Sequence, residues 1–92
     1  MKYFVRWKEP NTDWKEISRE RALEILEPNY KDPEEALRGA EDTIKKFKFQ
    51  RIPCMFCDIE VNHGAVVKTY FAPYHDVTVY EDGWEDWFYI GD

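Results

Sequence analysis

Ninety-two residues carrying a formal charge of −6, with 35% charged and 17% aromatic side chains, suffice for one domain with a modest core. No apolar run approaches the roughly 20 residues that cross a bilayer. The two cysteines, three residues apart, form no secreted disulfide framework, so a soluble cytoplasmic protein with reduced thiols is expected.

Residues 2–8 alternate, with Tyr3, Val5 and Trp7 on one side and Phe4, Arg6 and Lys8 on the other, which predicts a strand. Pro10, Asn11, Thr12 and Asp13 supply turn chemistry, and residues 14–17 return as a short strand. Ser18 reads as a helix N-cap ahead of the apolar stripe Ala22, Leu23, Ile25 and Leu26, and Pro28 stops that helix. Asp32-Pro33-Glu34-Glu35 opens a second helix, with Asp32 capping and Pro33 at the first helical position. Leu37, Ala40, Ile44 and Phe47 repeat at helical spacing and are expected to face the core. Gly39 weakens the helix by about 1 kcal/mol relative to alanine and would permit close packing against a strand.

Residues 54–61 read as one strand, returning through Asn62-His63-Gly64 into residues 65–72. A three-residue loop there pairs Ile59 with Val67 and Cys57 with Thr69, keeping apolar groups on one face. Residues 76–81 and 84–90 form a last hairpin around Asp82-Gly83. A two-residue loop sets Val79 opposite Asp86 and Val77 opposite Phe88, leaving Thr78, Tyr80, Glu85, Trp87 and Tyr89 on the solvent face. Asp86 on the apolar side is a flaw that a bulge would remove. The sum is a single α+β domain over residues 1–92, an antiparallel sheet in the order ββααββββ with two helices on one face.

Cys54-Met55-Phe56-Cys57, with His63 and His75 downstream, is the one metal-like pattern. In a strand the two thiols fall on opposite faces and the spacing to the histidines matches no familiar zinc site, so no metal and no cofactor are expected. Cys57 then reads as a core residue, His63 as a loop tip and His75 as a solvated residue at a strand start. The carboxylates Glu81, Glu85 and Asp86 lie at a hairpin tip that supplies no pocket, and no glycine-rich phosphate loop is present. A catalytic role is therefore not expected. The second helix is expected to run to about Phe47, and Lys45, Lys46, Lys48 and Arg51 cluster at its end, where cations complement the helix dipole.

Charge is unevenly placed: residues 1–52 hold 12 Lys+Arg against 11 Asp+Glu, and residues 53–92 hold 1 against 8. Acids and rings interleave over residues 74–92. The expectation is a small acidic binding protein that presents Tyr80, Glu81, Asp82, Trp84, Glu85, Asp86, Trp87 and Tyr89 to a partner protein with a basic surface. Phosphate would be repelled, so direct nucleic-acid binding is not expected, whereas a nucleic-acid-handling protein offers the matching charge. Blocking such a surface is the general character of phage and mobile-element anti-defence inhibitors of the anti-CRISPR type. A toxin-neutralising immunity protein uses the same physics, and a zinc or ligand-binding domain built on Cys54, Cys57, His63 and His75 is the third class. A monomer and a symmetric homodimer are both compatible with an exposed edge strand.

Overall fold

In the computed structural model, which describes residues 1–9, 12–64 and 66–89 (Phe88 and Tyr89 by backbone alone), seven strands and two helices follow one another. They are β1 (Lys2–Trp7), β2 (Lys15–Ile17), α1 (Arg19–Leu26), α2 (Pro33–Thr43), β3 (Phe49–Pro53), β4 (Cys57–Asn62), β5 (Val66–Phe71), β6 (His75–Tyr80) and β7 (Glu85–Tyr89). The class is α+β as the sequence indicates, with one strand more than expected and with the strands divided between two antiparallel sheets. The first has the order β2-β1-β4-β3 and the second β5-β6-β7.

The N-terminal half follows its local signals. β1 and β2 pair with Tyr3 opposite Ile17; of the turn between them, Pro10 and Asn11 lie outside the described residues. Ser18 Oγ accepts from the backbone N–H of Arg21, and Asp32 Oδ1 accepts from that of Glu35, so both helices begin at their caps. α2 stops at Thr43, earlier than the periodicity suggests. Thr43 Oγ1 donates to the Gly39 carbonyl, and the next amides, Lys45 and Lys46, fall back to carbonyls three residues behind. Phe47 is consequently 63% exposed instead of packed in the core. A Cβ on Gly39 would meet no atom within 4 Å, so this glycine faces open space and makes no close approach to a strand.

The larger corrections concern β3 and β4. Residues 54–61 are not one strand. Pro53 ends β3, Met55 and Phe56 form a tight turn, and Cys57 starts β4, with Cys54 N donating to Cys57 O across it. β4 pairs with β1 (Val5 opposite Ile59) and with β3 (Ile52 opposite Ile59), not with β5. β4 can occupy the centre because both of its faces are covered. Toward the helices it sends Cys57, Ile59 and Val61, which join Val5, Ile52, Ala22, Ile25, Leu26, Leu37, Ala40 and Ile44 in one apolar core. Burial of apolar area is worth about 25 cal/mol per Å² and is the main stabilising force here.

The opposite face of β4 carries Glu60 and Asn62, and the second sheet closes over it. Each strand of that sheet is tied across the gap by a polar contact. Thr69 of β5 donates to Asp13, Asp76 of β6 pairs with Arg6 of β1, Tyr80 of β6 donates to Glu60, and Asp86 of β7 pairs with Arg51 of β3. Rings fill the rest: Phe4 and Trp14 are buried, and the Arg51 guanidinium lies 5.1 Å from the Trp14 ring centroid and 4.8 Å from that of Phe49. Trp14 Nε1 and Thr78 Oγ1 are buried here and find no hydrogen-bond partner among the described residues. The molecule is thus three layers deep, with an aliphatic interface on one side of the β1–β4 sheet and a mixed ionic and aromatic one on the other.

Candidate docking face of the second sheet

The β6–β7 hairpin turns through three residues, Glu81, Asp82 and Gly83, not through two. Gly83 N donates to Tyr80 O and Tyr80 N to Trp84 O, with Gly83 at φ 87°, the left-handed conformation that such a loop requires. The added residue shifts the register by one, so that Val79 opposes Glu85, Thr78 opposes Asp86 and Val77 opposes Trp87. The side chains of β6 therefore exchange faces relative to the expected pairing, while Glu85 and Trp87 of β7 stay on the solvent side and Asp86 on the inner one. Asp76, Thr78 and Tyr80 point inward and are buried, while Val77 and Val79 lie outward. The expected core of Val77, Val79 and Phe88 does not form, and the side chain of Phe88 lies outside the described residues.

Tyr80 and Asp86, two of the expected contact residues, are internal. The Tyr80 hydroxyl donates to Glu60 Oε2 at 2.6 Å, and burial, reinforced by the neighbouring carboxylate, raises the phenol's pKa far above its ordinary value. Asp86 faces Arg51, which also holds Glu60 Oε1 at 3.0 Å. Burial opposes the charge on Arg51, and its two carboxylate partners outweigh that and raise its pKa. Glu60 is fully buried and accepts from Arg51, Asn62 and Tyr80, three donors on three strands. Asp76 and Asp86 thus neutralise internal arginines and contribute little to an anionic surface. Glu81, Asp82 and Glu85 remain exposed.

Trp84 is half-buried, with its ring 5.1 Å from Phe49 and 4.9 Å from Tyr80. Lys48 Nζ lies 5.3 Å over it and 3.8 Å from Asp82 Oδ2. These groups border an open groove of about 410 Å³ lined by Phe47, Lys48, Phe49, Gln50 and Trp84. Tyr89 is a residue of β7 whose side chain lies outside the described residues.

Trp87 is exposed at 64% and anchors a row that the sequence did not single out. Tyr70 of β5, Val77 of β6 and Trp87 of β7 are register partners on one face, and Tyr70 is 53% exposed. His75 stacks on Trp87 with centroids 4.9 Å apart and planes 20° apart. The next row is Lys68, Val79 and Glu85, with Lys68 Nζ 4.8 Å from the Tyr70 ring centroid. Tyr70 and His75 could have been placed here only by knowing that β5 pairs with β6.

The remaining candidates separate in space. Cys54 and Cys57 are both buried on the helix side, across their turn from one another, not on opposite faces. Burial pushes the Cys54 thiol up to about 12 and raises that of Cys57 as well. His63 meets the Ile44 carbonyl at 2.7 Å and His75 is stacked, so neither joins the thiols. Among the described residues no three of histidine, cysteine, aspartate and glutamate converge as metal ligands, and no helix is long and apolar enough to cross a membrane. Comparison with known protein families, curated proteins and solved structures finds no match for the chain.

Proposed function

We propose that this chain is a non-catalytic protein-binding module that docks through the outer face of β5–β7. The supporting observation is the row Tyr70, Val77 and Trp87, rings and a valine held side by side on a sheet whose other face is already buried. Large exposed rings on a rigid support are the usual anchors of a protein interface, because they desolvate much area at little entropic cost. Glu85 on the same face and Glu81 and Asp82 at the adjoining loop favour a partner with basic groups. Nucleic-acid-handling proteins carry such surfaces, and covering one would make the chain an inhibitor, of the anti-defence kind or as an immunity protein.

The test is affinity capture by the wild type, by Trp87→Ser and by Glu24→Ser on the helix side. The reading expects a basic partner that Trp87→Ser loses by tenfold or more and Glu24→Ser retains. Equal capture by all three, or a partner without a basic surface, rules it out.

A further inference from the structure

The two interfaces of the β1–β4 sheet are made of different materials. Toward the helices lies one aliphatic cluster with Leu26, Leu37, Ile59 and Val61 at its centre. Toward β5–β7 lie two guanidinium–carboxylate clusters, Arg6 with Asp76 and Arg51 with Glu60 and Asp86, beside the buried rings of Phe4 and Trp14. Among the described residues no strand of one sheet pairs with a strand of the other, so no backbone ladder between described strands joins the layers. Within each sheet the ladders are antiparallel, broken only by a register shift between Val66 and Lys68 in β5 among the described pairs, so each layer keeps its own backbone hydrogen bonds if the two part. Buried ion pairs return little net stability, because taking both charges out of water offsets most of their attraction, and on separation the charges regain hydration. Apolar burial has no such compensation.

We propose that β5–β7 is a detachable layer: the three strands leave the helix-backed sheet as one unit while that sheet stays folded, and the Arg6 and Arg51 clusters are the latch. The opening bares Arg6, Arg51 and Glu60 on the body and Asp76, Tyr80 and Asp86 on the layer. It holds whether or not the outer face of the layer docks a partner. Proteins commonly open in cooperative pieces of this size, and the boundary here follows the change from a purely aliphatic contact to a mixed ionic and aromatic one.

Native-state hydrogen exchange of the whole chain in sub-denaturing urea tests this. Amides of β6 are expected to exchange through an opening at least tenfold more populated than the one that exposes amides of β4, the two converging only near global unfolding. A single shared opening for β6 and β4 at every urea concentration overturns the proposal. Arg51→Met adds a second arm if it folds: exchange in β5–β7 should accelerate at least tenfold more than in β4. Equal acceleration in both sheets refutes the latch. If the variant does not fold, the wild-type comparison decides alone.

Discussion

Tyr80 Oη donates to Glu60 Oε2 at 2.6 Å across the gap between the two sheets, and both side chains are buried. The carboxylate belongs to an inner strand of the body and the phenol to the central strand of the covering layer. Tyr80→Phe removes that donor while Arg51 and Asn62 continue to hold Glu60. A hydrogen bond to a charged acceptor is worth about 1.5–3 kcal/mol, and a loss in that range is expected in urea unfolding at pH 7. A neutral result would show that the phenol is not bound to the carboxylate.

The same contact predicts behaviour in alkali. Burial and the adjacent carboxylates raise the pKa of Tyr80, and burial with Glu41 raises that of Tyr3 to about 12. A folded pKa above the unfolded value contributes stability that is complete below about pH 10 and is lost as pH rises through the folded value. Absorbance at 295 nm should therefore show these two phenols ionising well above the ordinary phenol range and together with loss of structure. Reversible ionisation of Tyr3 and Tyr80 near pH 10 in the folded protein would contradict this arrangement.

Acid acts through Glu41. Its carboxylate receives Arg19 Nε at 2.8 Å as well as the Tyr3 hydroxyl, and the Arg19 bond holds its pKa below the ordinary glutamate value of 4.5. The stability contributed is present above that value and disappears as pH falls through the depressed folded pKa. Glu41→Gln should cost about 1–2 kcal/mol at pH 7, and the gap from wild type should close as pH falls below the ordinary glutamate value and through the depressed one. A gap independent of pH would mean that the charge is irrelevant.

Gly39 is exposed in the interior of α2, with open space where a Cβ would sit. Gly39→Ala is expected to stabilise by about 0.5–1 kcal/mol, since alanine loses less backbone freedom in a helix. Denaturant midpoints measure it, and a lower midpoint would place an unseen contact at that position.

Trp87→Ser should leave stability within about 0.5 kcal/mol of wild type, because the ring lies outside both cores. Trp84→Ser should destabilise by more, since Trp84 packs on Phe49 and Tyr80. Thermal unfolding of the pair separates a surface ring from a structural one.

The local signals in the first half of the chain carried their own answer. Ser18 and Asp32 cap their helices, the alternation of Tyr3 and Val5 makes a strand, and the stripe from Ala22 to Leu26 packs on it. These outcomes depend on neighbours within a few residues. The α+β class follows from the same pattern.

Pairing, by contrast, was settled at a distance. Whether β4 meets β5 or lies between β1 and β3 depends on which strands can cover both of its faces, and the preference of 54–61 for a strand says nothing of that. One extra loop residue at Glu81 reversed the faces of β6, burying Thr78 and Tyr80 and turning Val77 and Val79 outward, while Trp87 stayed on the solvent side. The acids near the carboxyl end are plain in the sequence. That Asp76 and Asp86 are spent on Arg6 and Arg51 required the tertiary structure, because a charge seeks water unless the fold brings an opposite charge to it.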